Sequence, residues 1–209
     1  FLSLQFFDER YKDMTKAELT AKWGQVLDIL RQTMTKDCEH GVWNLYDSAT
    51  HVITFVPTDD AHLYTDPSYQ LPAFTEMWSR WDEERADFWQ EASPAARRQL
   101  RISSHPVTGL YPDYSTYEGE PFRGPFCGYD SRRFQYDAIR CAMNVGMDAH
   151  WWGKDIERQR GMIRRQLTHF RNNGYTNGHY NHDGTNPTDG FDAGTFGANA
   201  VGCFALLGS

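Results

Sequence analysis

One stretch of the sequence combines side chains that can do chemistry, and it runs from Arg133 to Gly153. Asp137 and Arg140 are three residues apart, so on a helix they share one face and can form an ion pair. A carboxylate beside a guanidinium stays ionised, and an ionised carboxylate can act as a general base. On spacing alone, an ordinary surface ion pair is the more common explanation.

Acidic and aromatic side chains recur in two loop-like stretches before this segment, and we expect them to line a cleft with Asp137. The predicted cleft residues are Tyr64, Asp66, Tyr69, Tyr111, Asp113 and Tyr117. Glycoside hydrolysis needs two carboxyl groups, an acid and a base, with room for water if the reaction inverts. Among these residues, Asp66 has a second interpretation as the N-cap of a helix.

Tryptophans give a second set of candidates for contact with a sugar. Trp78 and Trp81 have the spacing of core residues and are predicted to pack inside the domain. Trp43, together with one of Trp151 or Trp152, is predicted to be a platform, because an aromatic face packs well on the apolar face of a pyranose.

A histidine pair lies in a Gly/Asn/Thr-rich stretch. His179 and His182 are followed by Asp183, but this spacing matches no standard ligand set, so we expect no metal and no cofactor. A solvated loop with one histidine reaching the substrate is favoured. The four cysteines are far apart without a CxxC pair, and Cys141 and Cys203 are predicted to be small buried residues rather than disulfide partners.

The elements that must position these residues are mostly helical. A capping box, Thr15 to Glu18, predicts the start of a helix that runs to about residue 35. The remaining predicted elements, in chain order, are a β-hairpin over 43–57, a helix opening at Ser68 or Tyr69 with Pro72 in its first turn, helices over about 84–92 and 93–104, a long loop over 105–130, helices over 131–150 and 155–172, a loop over 173–191 and a last helix over 193–207. Consecutive helical hairpins predict an all-α bundle, solenoid or α/α toroid with a small β-hairpin and long cleft loops.

Composition limits the classes of partner. The chain has 209 residues, a net charge of -7 and 15% aromatic residues. An acidic chain has no excess of Lys and Arg to neutralise phosphates, which argues against nucleic acid, and no apolar run is long enough to cross a membrane. We expect a cytoplasmic protein, with the oligomeric state left open. The chain has no initiator methionine and starts and stops in apolar stretches, so we expect residues 1–209 to be one incomplete catalytic domain.

Several motifs, taken together and in order, resemble glycoside hydrolase family 8. They are Gly41-Val-Trp-Asn44, Phe55-Val-Pro57, Tyr64-Thr-Asp-Pro-Ser-Tyr-Gln-Leu-Pro72, Ser104-His-Pro-Val-Thr-Gly-Leu-Tyr-Pro-Asp-Tyr114, Tyr136-Asp-Ala-Ile-Arg140, Met147-Asp148 and Trp152-Gly153. The resemblance implies an inverting glycosidase on a six-hairpin (α/α) barrel. The two longest motifs, Tyr64–Pro72 and Ser104–Tyr114, look most like the branch that releases xylose from the reducing end of β-1,4-xylooligosaccharides.

The resemblance also implies roles. Asp137 would be the general base, Tyr69 would lie near the attacking water, and Arg140 would support them. The expected substrate-binding residues are Trp43, Asp66, Tyr111, Asp113, Tyr136, Trp152 and His179. The family's general-acid glutamate and a further aspartate have no counterpart here, and residues 173–194 depart from the pattern of the loop that enforces exo action. A non-catalytic carbohydrate-binding or scaffold protein is the alternative.

Overall fold

The computed structural model describes residues 12–15, 17–19, 21, 43–58, 60–125 and 127–207. Within these ranges the helices and strands with both ends described are α1 (Pro72–Trp81), α2 (Ala86–Ser103), α3 (Arg140–Trp152), α4 (Ile156–Asn172), α5 (Ala193–Gly202), β1 (Asn177–His179) and β2 (Thr188–Gly190). Short 3-10 turns span Ala61–Leu63, Pro67–Tyr69, Tyr136–Ile139 and Cys203–Leu206. None of the described helices is long and apolar enough to cross a membrane.

The helices pack as consecutive antiparallel hairpins, as predicted. The first hairpin is α1 with α2, and the second is α3 with α4. Gly153 ends α3 in the left-handed conformation, at φ 60°, which glycine adopts without strain. The core between α2, α3 and α4 contains Leu100, Val145, Ile163 and Phe170. Burying these side chains supplies the main favourable free energy of folding.

The last helix packs unusually close to α3. A Cβ added at Gly146 would overlap the carbonyl oxygen of Val201, and one added at Gly202 would lie 3.2 Å from the carbonyl oxygen of Ala142. The two backbones therefore approach each other where neither helix carries a side chain. This contact explains the Ala/Gly-rich composition of α5, which was predicted to be a tightly packed helix.

The prediction of two helices over 84–92 and 93–104 was wrong, because α2 continues through Pro94. Proline removes one hydrogen bond of a helix and usually kinks or ends it. Here the residues around it are fixed to α1: Ser93 donates a hydrogen bond to Glu76 at 3.0 Å, and Arg97 donates to the same carboxylate at 3.1 Å. Pro94 itself faces solvent. Tertiary contacts thus override the local signal.

The strands also differ from the prediction. Over 43–57 the chain does turn back on itself, with Asp47 N–H bonded to Val52 O at 2.9 Å, but only Tyr46 and Ile53 form a β-bridge. The two-stranded antiparallel sheet instead lies within 173–191, which was predicted to be a loop. Arg133 donates hydrogen bonds there to Asn181 and Thr188, so its pairing depends on a distant side chain that no local periodicity shows.

Several element boundaries shift by a few residues. The central helix, predicted over 131–150, is a 3-10 turn followed by α3, and α1 begins at Pro72 rather than at residue 68 or 69. The capping box is confirmed by the bond from Thr15 N–H to Glu18 Oε2 at 2.8 Å, while most of the helix to residue 35 lies outside the described residues. Trp78 packs on Trp89 as expected, but Trp81 is 55% exposed, since it ends α1 beyond that contact.

Candidate active site

Backbone pairing between loops brings the predicted site residues together. Thr65 and Ser115 exchange hydrogen bonds of 3.0 and 2.9 Å, which places the neighbouring Asp66 close to the segment that carries Asp113. Asp113 N–H in turn donates to the carbonyl oxygen of Arg133 at 2.9 Å. The chain then enters the 3-10 turn that carries Asp137. Three aspartates that are distant in sequence therefore converge at the N-terminal end of α3.

Arg140 connects the three residues predicted to be catalytic. Its Nη2 lies 2.7 Å from Asp137 Oδ2 and 3.8 Å from Asp66 Oδ2, and its Cζ lies 5.7 Å from the centre of the Tyr69 ring. It also donates to the Ser68 hydroxyl at 2.9 Å. The Asp137 side chain is half exposed, so it remains accessible to water and ligands.

Asp66 is buried beneath this group. Ser68 N–H donates to its Oδ1 at 2.7 Å, so the N-cap interpretation is confirmed, while its Oδ2 accepts no hydrogen bond from the described residues. Burial raises the pKa of Asp66 to about 7, against the hydrogen bonds from Ser68, and the charges of Asp113 and Asp137 raise it further. The pKa of this carboxyl therefore lies close to neutral pH.

Asp113 is the third carboxyl of the group and is also buried. Tyr129 donates its hydroxyl to Oδ2 at 2.7 Å, and the backbone N–H of Asp137 donates to Oδ1 at 3.1 Å. Burial raises the pKa of Asp113 to about 6, and the charge of Asp137 adds to the increase. Tyr129 is a site residue that sequence reasoning missed. The only signal for it in the sequence was its position near the end of the aromatic-rich loop over 105–130.

Aromatic side chains border the carboxyl group. Tyr136 is half exposed, with its backbone in the left-handed region at φ 42°, and its ring meets those of Tyr129 and His179 edge to face, at 4.8 and 5.3 Å between centroids. His179 Nδ1 lies 2.9 Å from Asp189. Burial, together with the charges of Asp66 and Asp137, raises the pKa of Tyr69, so its hydroxyl keeps its proton.

Two of the predicted substrate-binding residues are not in the site. Tyr111 is 1% exposed, belongs to the hydrophobic core and points its hydroxyl at the sulfur of Met162 at 3.5 Å. Trp152 donates its indole N–H to Ala73 O at 2.9 Å, and the Arg80 guanidinium lies 4.2 Å above its ring. It also lies at the far end of α3, about 20 Å from Asp137 at 1.5 Å per residue.

Other predicted cleft residues have structural contacts. Tyr64 is buried, and the Tyr117 hydroxyl donates to His62 O at 2.5 Å. Trp43 is 38% exposed, but its ring is stacked on His62 at 3.7 Å, so one face is covered. His182 Nε2 lies 3.0 Å from Ser103 O, and burial lowers its pKa to about 4. In the described ranges, no three His, Cys, Asp or Glu side chains form a cluster able to hold a metal ion.

Comparison with known proteins places this geometry in a family. The family model of glycosyl hydrolases family 8 matches residues 54–201. Among curated proteins, the chain is 41% identical over 115 residues to the reducing end xylose-releasing exo-oligoxylanase of Halalkalibacterium halodurans, which covers 54% of this chain and 27% of that protein. It is 33% identical over 157 residues to the corresponding protein of Bifidobacterium adolescentis, covering 73% of this chain and 39% of the relative.

Solved structures agree. A family 8 xylanase from Teredinibacter turnerae, in complex with xylohexaose, has a TM-score of 0.81 and 29% identity over 97% of this chain and 53% of its own. Rex8A from Paenibacillus barcinonensis, complexed with xylose, has a TM-score of 0.78 and 29% identity over 96% and 53%. The chain thus spans about half the length of these structures, and its consecutive helical hairpins are part of their six-hairpin (α/α) toroid. The chain belongs to the glycosyl hydrolases of family 8.

Proposed function

We propose that the protein to which this chain belongs is an inverting glycoside hydrolase acting on β-1,4-xylooligosaccharides, with Asp137 as its general base. The observation that carries the proposal is the contact of Arg140 with Asp137, Asp66 and the Tyr69 ring. A half-exposed carboxylate paired with arginine, near a tyrosine that keeps its hydroxyl proton, suits the removal of a proton from an attacking water.

The buried aspartates take a different role in this proposal. Asp66 and Asp113 each accept a backbone N–H and are covered by protein, so neither can reach the oxygen of a leaving sugar. An inverting enzyme places its acid roughly 6.5–9.5 Å from the base, on the other side of the sugar ring. We assign that acid to a part of the protein outside these 209 residues, and we assign Asp66 and Asp113 to positioning the base, through the contact of Asp66 with Arg140 and the bond from the backbone N–H of Asp137 to Asp113.

The substrate class follows from the relatives. Two matched proteins at 41% and 33% identity are named for xylose release, whereas Endoglucanase C of Ruminiclostridium cellulolyticum matches at 28% identity. Tyr136 and His179 border the carboxyl group and supply an aromatic edge for a sugar ring. We therefore place xylooligosaccharides ahead of cello-oligosaccharides.

The test is product analysis with the full-length protein. Xylotriose and cellotriose are incubated separately, and the first anomer formed is followed by NMR before mutarotation. We expect the α-anomer from β-linked xylotriose and a much slower reaction with cellotriose. A first product with β configuration overturns inversion, and tight xylotriose binding without hydrolysis supports the non-catalytic alternative instead.

The 209-residue chain by itself gives a second arm of this test. With the base but no acid, we expect negligible release of xylose from xylotriose, since both groups act in the same step. Enzymatic rates from this chain alone would show that the acid lies within it and would reassign Asp66 or Asp113.

A further inference from the structure

A buried amide on α3 holds the segment that carries Tyr69. Asn144 is 1% exposed, and its Nδ2 donates hydrogen bonds to Ser68 O at 2.7 Å and to Gln70 O at 3.0 Å. Only the NH₂ group of an amide can donate to two carbonyl oxygens, which assigns the orientation of this side chain. The two carbonyl groups flank Tyr69, so one side chain fixes the backbone on both sides of that residue.

The segment has little internal structure of its own. Pro67–Tyr69 is a single 3-10 turn, closed by bonds from Tyr69 N–H to Asp66 O at 3.0 Å and from Gln70 N–H to Pro67 O at 3.2 Å. Such short turns have poor hydrogen-bond geometry, and the carbonyl groups at the end of a turn have no partner within it. The position of the turn relative to α3 therefore depends on side chains that reach it from the helix.

Asn144 and Arg140 reach the segment from one face of α3, because residues four apart are neighbours on a helix surface. Arg140 donates to the Ser68 hydroxyl at 2.9 Å, lies 5.7 Å from the centre of the Tyr69 ring and pairs with Asp137. Asn144 lies one turn further along α3 and is buried where a sugar cannot contact it. Its effect on the site must therefore pass through the backbone that it binds.

The residue type is explained by its two donors rather than by packing. Asn144 Oδ1 is buried and accepts no hydrogen bond from the described residues, which costs folding free energy. An apolar side chain of similar size would avoid this cost but would remove the donors to Ser68 O and Gln70 O. Departures of this kind from the best local choice are expected where function constrains a residue.

We propose that Asn144 is a positioning residue for the reaction: it fixes the backbone of Tyr69 so that the tyrosine hydroxyl holds the attacking water against Asp137. The inference rests on the proposed function, which gives Tyr69 and Asp137 their roles. A displacement of about 1 Å in a positioned group can cost about 10²-fold in rate. Two hydrogen bonds beneath the site are thus enough to affect turnover without any contact to the substrate.

The test compares two Asn→Leu variants of the full-length protein. Asn144→Leu keeps the approximate size of the side chain and removes both donors. Asn199→Leu is the control, because Asn199 is also buried and accepts a hydrogen bond from Gln166 at 2.7 Å that connects α4 and α5. Both variants should lower the free energy of unfolding in urea. Only Asn144→Leu should lower kcat on xylotriose, by about tenfold or more, with KM changed less than about twofold.

A double-mutant cycle with Tyr69→Phe shows whether the effect passes through the tyrosine. Once the hydroxyl is gone its position no longer matters, so Asn144→Leu should lower kcat less than about threefold in the Tyr69→Phe background. Losses in kcat that multiply independently would overturn the proposal, and so would an equal loss in Asn199→Leu, because both would mean general loosening of the fold.

A second variant covers the case in which Asn144→Leu does not fold. Asn144→Asp has the same shape but at most one donor, so its kcat should also fall while KM is retained, and a normal kcat would contradict the proposal. The NMR signal of the Tyr69 ring, in protein with labelled tyrosine, tests the positioning without turnover. It should shift in the Asn144 variants and not in Asn199→Leu, and an unshifted signal in the Asn144 variants overturns the inference. An unaltered protein that hydrolyses no xylotriose would instead count against the proposed function.

Discussion

Two charged clusters lie at opposite ends of α3, and they differ in how well their charges are matched. The acidic site, at the N-terminal end, consists of Asp66, Asp113, Asp137 and Arg140, three carboxyl groups with one cation. The ionic core, towards the C-terminal end, consists of Glu76 and Asp148 with Arg97, Lys154 and, at 3.4 Å from Glu76, the more exposed Arg80. The same kinds of side chain thus form one group that is short of cations and one in which each carboxylate is paired.

The carboxylates of the ionic core are paired with cations. Arg97 binds both oxygens of Asp148, at 2.8 and 2.7 Å, and reaches Glu76 at 3.1 Å. Lys154 lies 2.8 Å from Glu76, and Gln159 donates to Asp148. Burial alone would raise the pKa of Glu76, but the hydrogen bonds from Lys154, Arg97 and Ser93 hold it at about 2.

In the acidic site the pKa values of the buried carboxyl groups shift upwards instead. The pKa of Asp66 rises to about 7 and that of Asp113 to about 6, because burial outweighs their few hydrogen bonds. Buried carboxyl groups with raised pKa values are typical of functional sites, whereas buried ion pairs connect elements of the fold. Under the proposed function, α3 thus carries the chemistry at its first residues, while its last residues stabilise the helical hairpins.

The largest expected effect separates the clusters by activity. In the full-length protein, Asp137→Asn keeps the shape of the side chain but removes the base, so kcat should fall about 10²–10⁴-fold. The unfolding free energy should change by less than about 1 kcal/mol, since the pair with Arg140 is half exposed. Steady-state kinetics on xylotriose and denaturant unfolding measure both. Added azide should restore turnover by replacing the water and give a glycosyl azide of inverted configuration. Near-normal kcat would reduce Asp137 to one half of a surface ion pair.

The second prediction concerns the stability of the ionic core rather than activity. Asp148→Asn leaves Arg97 buried with one partner fewer, and breaking a buried pair destabilises by about 3–5 kcal/mol. Urea unfolding of the full-length variant should show this loss, while KM for xylotriose stays within about twofold at a temperature where the variant is folded. A stable variant with low kcat would mean that the ionic core belongs to the catalytic machinery.

The third prediction concerns the dependence of stability on pH, because the pKa of Asp66 is raised whereas that of Glu76 is lowered. The raised pKa of Asp66 means that the folded state holds its proton more tightly than the unfolded chain, whose value is near 3.8. Stability from this group is complete below about pH 4 and is lost as the pH rises through about 7, by up to about 4 kcal/mol. The pKa of Glu76 is lowered from 4.5. The stability that this group contributes is therefore present above that pH and is lost as the pH falls towards about 2.

Variants isolate these two slopes. Asp66→Asn should flatten the decline in unfolding free energy between pH 4 and 7, and Glu76→Gln should leave that decline unchanged while it flattens the acid side. Thermal and urea unfolding across pH 3–8 measure both. The comparison fails if the two variants alter the same pH range.

The smallest effect concerns the hydrogen bond that Tyr129 donates to Asp113. Tyr129→Phe removes this donor, which raises the pKa of Asp113 further and weakens the bond that Asp113 accepts from the backbone N–H of Asp137. We expect kcat on xylotriose to fall up to about tenfold with a smaller change in KM, because the base is held less firmly. Tyr117→Phe is the control, because that hydroxyl donates to a backbone carbonyl instead, and it should leave kcat unchanged. Equal effects of both variants would indicate general loosening of the loop.

Much of the helical architecture was predictable from the sequence, and the exceptions have physical causes. The amphipathic period of α4 predicted its bounds closely, since one buried face repeats along the helix. The continuous α2 and the sheet at 177–190 were not predictable, because Ser93, Arg97 and Arg133 fix them through partners far along the chain. Tyr111 and Trp152 show the same limit for the site: their types suit sugar binding, but packing turned both towards the protein interior.

The sequence by itself determined the family motifs, the helical hairpins and the pairing of Asp137 with Arg140, because these depend on residue types and on spacing within one or two turns. Only the tertiary structure decided which of the aromatic and acidic residues meet at that pair. The bridge between Thr65 and Ser115, and the bond from Asp113 N–H to Arg133 O, bring Asp66 and Asp113 beneath Asp137 and bury them. Burial sets their proton affinity, and burial is a property of the folded chain rather than of any local stretch.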